Sequence, residues 1–208
     1  MVIPTDLLTY CAIVAGFVCI PGPATLMTIA RTTTSGTRVG IATGAGISAG
    51  DVVHTLFAIV GISALIAASA SLFTVVKIAG SAYLFWLGIN AIRNNETPSV
   101  VGAVRNSSAG GAFSQAVLAE VLNPKTALFF LAFLPQFVHP ENGNVQIQLM
   151  ILGTIYSGLG FICTIFVALG SGKISSFLKE NNFFKNNMGK FIGCIYCGLG
   201  LRIAFQER

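Results

Sequence analysis

The sequence predicts an all-α membrane protein with six transmembrane helices, arranged as a 3+3 inverted repeat. Three observations support this fold class. First, 54% of the 208 residues are hydrophobic and only 9% are charged, whereas a soluble domain carries about 25% charged residues. Second, charge-free runs of 24, 25 and 31 residues occupy positions 7–30, 52–76 and 142–172, and a membrane span needs about 20 apolar residues. Third, two apolar segments are interrupted by proline at corresponding places.

The charge balance excludes other classes of protein. The net charge of +5 reflects few acids, 7 Asp and Glu, rather than many bases, 12 Lys and Arg. Nucleic-acid binding requires bases clustered on one face, and here they are scattered along the chain. So few charges cannot coat a water-facing surface, which excludes a soluble globular enzyme and a disordered chain.

The apolar stretches give the six helices in order. Strands of a membrane barrel would alternate apolar and polar residues over about ten positions, and these runs do not alternate. No Lys or Arg precedes the first stretch, and Asp6 lies where a signal peptide has its basic region, so we interpret this stretch as a mature first helix. The predicted helices are residues 6–30, 39–66, 71–93, 112–138, 146–170 and 188–206.

The Lys and Arg residues predict the orientation. Eight of them lie in the connections after helices one, three and five, three lie on the opposite side, and Lys125 lies inside a span. Since loops rich in Lys and Arg stay in the cytoplasm, both termini are predicted to lie outside. The eight are Arg31, Arg38, Arg93, Arg105, Lys173, Lys179, Lys185 and Lys190, and the three are Lys77, Arg202 and Arg208.

Helices three and six share a signature that indicates an internal repeat. Lys77, Gly80, Tyr83 and Leu87-Gly88 are matched by Lys190, Gly193, Tyr196 and Leu199-Gly200, at an offset of 113 falling to 112. The chain is then a single transmembrane domain with repeats at 1–104 and 105–208. Because each repeat has three helices, the second enters the membrane upside down. Inverted repeats with matching breaks are typical of secondary transporters; chance similarity between glycine-rich helices is the alternative.

Proline breaks helix one at Pro21-Gly22-Pro23, before Ala24, and helix four at Asn123-Pro124. Proline clashes with the carbonyl four residues back, so these breaks free the carbonyls of Phe17, Cys19 and Glu120. In hydrocarbon such groups are tolerated only where they are buried or line a wet cavity. The amides that follow each break suit a substrate carboxylate, and the freed carbonyls suit an ammonium group. The alternative is a kink that only shapes packing, for which Pro135 is a candidate.

Three charged residues fall inside spans: Asp51, Glu120 and Lys125. An unpaired charge at the bilayer centre costs about 3 kcal/mol or more, so each is a candidate substrate-binding residue. A structural ion pair between Lys125 and one carboxylate is the alternative. A buried carboxyl group that takes up a proton as it releases an ammonium would support proton antiport, which assigns proton coupling to Asp51 and Glu120. His54 shares a face with Asp51 and either relays this proton or is a hydrogen-bonded packing residue.

Glycine spacing predicts that helix two is buried against its neighbours. Gly36, Gly40 and Gly44 recur at every fourth residue, and Gly46 and Gly50 repeat the interval. Small residues at this spacing let helix backbones approach closely. Close packing would keep the neighbouring carboxylate away from lipid.

The sequence contains two motifs that resemble those of enzymes or metal sites, but neither has the context that such a site needs. Residues 46–50 read G-x-S-x-G, but the serine hydrolase motif needs a strand-turn-helix elbow, and here it lies within a helix. Cys194 and Cys197 form a C-x-x-C without a second ligand pair, so no metal site is predicted. A phosphate-binding loop is also lacking, and therefore neither a cofactor nor ATP is expected.

Several of these segments resemble the signatures of the LysE/RhtB family of amino-acid exporters. The match covers nearly the whole chain and is specific as a combination. Glu120 departs from the family pattern, in which a polar or small residue is commoner, whereas Asp51 matches a position where an acid is frequent. The segments are 21–24 with Gly36 and Arg38, 44–51, 123–125, 129–137, and 77–88 with Tyr83 and Trp86.

The resemblance implies export of amino acids or close derivatives across the bacterial inner membrane, driven by the proton gradient. Family substrates include lysine, arginine, leucine, threonine and homoserine. The resulting hypothesis places the amides after Pro23 and Pro124, with Lys125, on the substrate carboxylate, and Asp51 on the ammonium or a proton. A passive channel and an intramembrane enzyme are the alternatives. Partners are the amino acid, protons and membrane lipid, with a homo-oligomer left open.

Overall fold

The computed structural model describes residues 4–19, 22–68, 70–94 and 108–180, together with residues 187, 190, 193–194, 197–198 and 200–201. Within that part every regular element is helical and no strand occurs, which confirms the all-α prediction there. The helices are α1 (Pro4–Cys19), α2 (Pro23–Ser35), α3 (Thr37–Ala68), α4 (Ala70–Asn94), α5 (Ala109–Val121), α6 (Pro124–Leu128) and α7 (Val145–Glu180). Between α6 and α7 lie a π-helical turn (Phe129–Phe133) and two 3-10 turns (Leu134–Phe137 and Pro140–Asn142).

The described helices provide two to four candidate membrane spans. Thr37–Ile62 in α3 and Val145–Ser171 in α7 each qualify by length and composition. The pair α1 and α2, and the pair formed by α5 and Pro124–Phe137, qualify together, with bends of 52° and 47°. These correspond to the predicted first, second, fourth and fifth helices. Membrane crossing by α4 stays a prediction, and the predicted sixth helix lies mostly outside the described residues.

At both breaks a proline begins the second helix. α2 begins at Pro23, after Gly22 in an extended conformation with φ −136° and ψ −172°. α6 begins at Pro124, after Asn123 as the N-cap residue. Proline suits a first helical position because the amide it lacks would have no partner there. Pro21 lies outside the described residues, so the first break is seen only through its flanks.

Glycines bring α3 close to α5 and α7. A Cβ atom placed on Gly50 would lie 2.6 Å from Glu120 Cβ, and one on Gly44 would lie 2.5 Å from Thr164 Oγ1. Only glycine permits such an approach, so the predicted packing role is confirmed for these positions. Gly36 is different, because it has φ +90° and nothing within 4 Å of its Cβ position. It forms the turn that ends α2, which corrects its assignment to the packing series.

Arg31 lies inside α2 rather than in a connection. The predicted first helix ends at residue 30, whereas α2 continues to Ser35. Arg31 is 5% exposed, and its guanidinium donates to the Ala112 carbonyl at 2.6 Å and to Gln115 Oε1 at 2.7 Å, both on α5. The helix continues because a glycine with positive φ, not the first charge, ends it.

Aromatic side chains hold the broken helices against α7. The Phe129 ring centroid lies 4.8 Å from that of Phe17 and 4.7 Å from that of Tyr156. Tyr10 donates its hydroxyl to the Leu152 carbonyl at 3.0 Å. Such ring pairs contribute about 0.5–1.5 kcal/mol each beyond the area they bury. The backbone beside both breaks is therefore fixed by packing between α1, the π-helical turn and α7.

α4 contacts the described C-terminal residues at several points, two of which bear on the repeat signature. A Cβ atom on Gly88 would lie 2.7 Å from the Gly193 carbonyl oxygen, and Ser81 Oγ donates to the Gly200 carbonyl at 2.6 Å. The repeat signature pairs Gly80 with Gly193 and Gly88 with Gly200. The observed contacts therefore run crosswise, with the start of one signature against the end of the other.

Candidate functional site

A cavity lies between the two helix breaks. The empty space there amounts to about 450 Å³, a figure that includes open solvent at the mouth. Seven residues named from the sequence line it: Gly22, Pro23, Ala24, Asp51, Glu120, Asn123 and Lys125. Pro124 and His54 are not among the lining residues, and Pro21 lies outside the described part of the chain.

Asp51 is a buried carboxylate with one oxygen left unpartnered. The residue is 2% exposed, and its Oδ1 has no hydrogen-bond partner among the described residues. Its Oδ2 lies 3.4 Å from the position that a Cβ atom would take on Gly160, so the bare glycine leaves this carboxylate open to the cavity. Buried polar groups nearly always have partners. An unpartnered acceptor at a cavity wall suits an ammonium group or a proton.

Glu120 is also buried, but its carboxylate is fully engaged. The residue is 4% exposed, and Asn123 Nδ2 donates to both of its carboxylate oxygens at 3.2 Å. The Thr126 hydroxyl donates to the same carboxylate. These donors come from the residues that immediately follow Glu120 across the break. The two predicted acids therefore differ in state: Glu120 is held by the protein, and Asp51 is not.

His54 contacts the second break rather than Asp51. Its Nε2 lies 3.0 Å from the Glu120 backbone carbonyl, one of the carbonyls that the sequence predicted to be freed. Its ring stacks on Phe130 with 5.6 Å between centroids. These contacts match the packing alternative for His54, in which the imidazole is a hydrogen-bonded packing residue. The break does not leave the Glu120 carbonyl free, as the sequence predicted, because this carbonyl also accepts the Asn123 amide at 3.0 Å.

Lys125 reaches from the second break to the first. Its Nζ donates to the Phe17 carbonyl at 3.2 Å, another of the three carbonyls predicted to be freed, and stands 4.4 Å from the centroid of the Phe17 ring. Within the described residues it makes no ion pair with Asp51 or Glu120 at 4.0 Å or less. The alternative of a structural ion pair is therefore not what the structure contains.

The amino ends of the two second half-helices differ. Asn123 Oδ1 caps α6 by accepting the Lys125 amide at 3.0 Å. Gly22 offers α2 no side-chain cap, and the first helical hydrogen bond runs from Leu26 to the Gly22 carbonyl at 2.9 Å. The amides of Ala24 and Thr25 precede that bond, at the cavity wall. The α2 end is therefore the better place for an anion, because first-turn amides need acceptors.

Seven lining residues were not named from the sequence. Tyr156, Gly160 and Thr164 come from α7, where they recur at every fourth residue and therefore share one face. This stripe of polar and small residues in an otherwise apolar helix could have indicated from the sequence that this face of α7 lines a cavity. The remaining four are Val18, Thr25, Ile47 and Thr126.

The structure holds no competing chemical centre in the part that it describes. No group of three His, Cys, Asp or Glu side chains there is arranged to hold a metal ion. The G-x-S-x-G segment at 46–50 is helical, and Ser48 Oγ donates to the Ser157 carbonyl at 3.3 Å. A hydroxyl engaged in this way joins two helices.

Comparisons with known proteins agree with this picture of a membrane protein. The sequence profile of the family described as LysE type translocator matches residues 15–207. The chain is 32% identical over 206 residues to the uncharacterized membrane protein YrhP of Bacillus subtilis (strain 168), covering 95% of this chain and 97% of the relative.

Two further relatives cover a similar share of the chain. An uncharacterized membrane protein of Pseudomonas aeruginosa is 26% identical over 205 residues, with 96% and 95% of the two chains covered. A protein of Enterobacter sp. (strain 638) named leucine efflux protein is 28% identical over 193 residues, with 90% and 89% covered. No solved structure matches the chain.

Proposed function

Because the chain belongs to the family of LysE type translocators, we propose that it exports amino acids or close derivatives from the bacterial cytoplasm. The family and the relative named leucine efflux protein make it a transporter rather than an enzyme, and they support amino-acid export at the family level. The apolar helices and the related membrane proteins make it a multi-pass membrane protein.

One observation carries the assignment of the site: the unpartnered, buried Asp51 carboxylate in the cavity between the breaks. In the proposed mechanism Asp51 binds the substrate's ammonium and exchanges it for a proton. The amides of Ala24 and Thr25 at the start of α2 bind the substrate's carboxylate, aided by the positive end of the helix dipole. Glu120 and Asn123 shape the cavity rather than bind the substrate, since their polar atoms already bond one another.

The proposed coupling is proton antiport, with the inner membrane as location and both termini outside. A carboxylate that binds the substrate's ammonium group in one step and a proton in the next would couple substrate export to proton entry without a cofactor. A passive facilitator would need no such group and would leave efflux indifferent to a pH gradient. A buried, unpartnered carboxylate at the cavity wall favours the coupled transporter.

We also retain the 3+3 inverted repeat within one domain as a proposal, with boundaries at 1–104 and 105–208. The crosswise contacts support it. In a two-fold arrangement, when one residue of the first repeat contacts the counterpart of a second residue, that second residue contacts the counterpart of the first. Gly88 against Gly193, and Ser81, the neighbour of Gly80, against Gly200 come within one residue of that form. Cross-links between paired cysteine substitutions at further matched positions of the two repeats would test the repeat.

The test is efflux from proteoliposomes loaded with labelled leucine, lysine, arginine, threonine or homoserine. Wild-type protein should release at least one of them, faster into an acidic medium than into one at the internal pH. Asp51→Asn should abolish the response to the gradient, whereas Asp6→Asn, outside the cavity, should not. Efflux of no amino acid by the wild type would refute export, and a gradient response intact in Asp51→Asn would remove Asp51 from the coupling.

A further inference from the structure

Two cysteines that lie 144 residues apart in the sequence meet beside the first helix break. Cys19 is the last residue of α1, and Cys163 lies on α7. Their Sγ atoms are 3.6 Å apart. Cys163 Sγ also donates to the Val18 carbonyl oxygen at 3.7 Å. Since a thiol has a single hydrogen, Cys19 is then the donor to the Cys163 sulfur, and this contact keeps the two sulfur atoms together.

The spacing of the two sulfur atoms suits a disulfide bond. Both thiols are free. The S–S bond measures about 2.05 Å, so each sulfur atom must move by less than about 1 Å to form it. Within the described residues no third His, Cys, Asp or Glu side chain completes a metal site with this pair. The two thiols are therefore better placed to bond to each other than to hold a metal ion.

The two thiols differ in accessibility, which sets the order of an oxidation by hydrogen peroxide. Cys19 is exposed and Cys163 is partly buried, so this small, neutral oxidant meets Cys19 first. It converts the Cys19 thiol to a sulfenic acid and releases one water molecule. The Cys163 sulfur then attacks the Cys19 sulfur, and a second water molecule leaves as the disulfide forms. Two thiols and one peroxide thus give one disulfide and two water molecules.

A bond between these residues would join the two proposed repeats at the cavity. Cys19 belongs to the repeat at 1–104, and Cys163 belongs to the repeat at 105–208. Their sequence neighbours Val18 and Thr164 line the cavity. In transporters built from inverted repeats, the binding site is opened to each side in turn by movement of one repeat against the other. A covalent link at this place would prevent that movement.

We propose that Cys19 and Cys163 form a peroxide-sensitive dithiol, whose oxidation to a disulfide ties α1 to α7 and stops transport. The formation of the bond follows from the positions of the two thiols and does not depend on what the protein transports. The effect of the bond on transport rests on the proposed function.

The experiment uses wild type, Cys19→Ser, Cys163→Ser and, as control, Cys11→Ser, which changes another cysteine of α1. Each protein is reduced, reconstituted in proteoliposomes and treated with hydrogen peroxide. Intact mass spectrometry measures the loss of two hydrogen atoms, and peptide mapping without reduction identifies which cysteines are linked. Efflux of the labelled amino acids is measured before oxidation, after oxidation, and again after treatment with dithiothreitol.

Peroxide should link the peptides that contain Cys19 and Cys163 in wild type and in Cys11→Ser. Both proteins should then lose most of their efflux, and dithiothreitol should restore it. Cys19→Ser and Cys163→Ser should form no such link and should keep their efflux in peroxide, because the bond needs both thiols.

Four results would overturn these expectations in distinguishable ways. Wild type without this link after peroxide overturns the proposal, and so does a link confined to Cys194 and Cys197. A link between Cys19 and Cys163 that leaves efflux unchanged shows that the bond does not control transport. Equal loss of efflux in Cys19→Ser shows that oxidation at another place stops transport. If the reduced wild type exports no amino acid, the proposed function is refuted, while mass and mapping still decide whether the dithiol forms its bond.

Discussion

Gly160 leaves open the space in front of the Asp51 carboxylate, and Gly160→Ala should close it. The added methyl group would lie 3.4 Å from Oδ2, an ordinary contact that needs no shift of the backbone. An ammonium must approach a carboxylate oxygen to about 2.8 Å, and a methyl group in that space blocks the approach. Loss of one charge-assisted hydrogen bond, about 1.5–3 kcal/mol, should raise the KM for substrate about 10- to 100-fold.

Gly158→Ala is the matched control, because a Cβ atom on Gly158 meets nothing within 4 Å. Both substitutions should stabilise α7, since alanine favours a helix by about 1 kcal/mol over glycine. Transport kinetics in proteoliposomes and thermal unfolding in detergent measure the two effects separately. An unchanged KM in Gly160→Ala, or an equal rise in Gly158→Ala, would refute the assignment of the open carboxylate as the ammonium site.

Two further predictions concern packing. Gly50→Ala would bring a Cβ atom to 2.6 Å from Glu120 Cβ, so α3 and α5 must move apart. The free energy of unfolding should therefore fall by about 1–3 kcal/mol. An unchanged thermal midpoint in detergent would contradict this. Arg31→Gln removes buried hydrogen bonds to α5 and should lower the free energy of unfolding by about 2–4 kcal/mol. Arg38→Gln is the control, because Arg38 is exposed, and it should change the free energy of unfolding by no more than about 0.5 kcal/mol. If the two arginine substitutions lower the stability equally, the hydrogen bonds of Arg31 to α5 do not contribute to the free energy of unfolding.

The features of the fold that sequence could predict are those with a local cause. Pro23 and Pro124 begin helices because proline cannot continue one, so both breaks could be predicted from the sequence. Gly44 and Gly50 predicted close packing because only small residues permit it. Gly36 belongs to the same spacing but has a positive φ. Spacing alone cannot separate a packing glycine from one required by the backbone.

The state of each candidate site residue depended on groups far away in sequence. Asp51 and Glu120 look equivalent as acids inside spans, and only their surroundings distinguish a bare carboxylate from a bonded one. Lys125 finds its partner 108 residues away, at the Phe17 carbonyl. The positive-charge tally treated Arg31 as a loop residue, since no charge pattern reveals where a helix is terminated by backbone conformation.

α2 is a short helix with a glycine at each end. It has 13 residues, a length of about 20 Å, and glycines bound it at both ends: Gly22 is extended and Gly36 has φ +90°. One end presents amides to the cavity, and the other end carries Arg31 into α5. A tilt of α2 about Gly36 would move its amino end most, because that end lies farthest from the pivot. Such a tilt would also change the hydrogen bonds of Arg31 to α5, so the position of the amides and the arginine contact would change together.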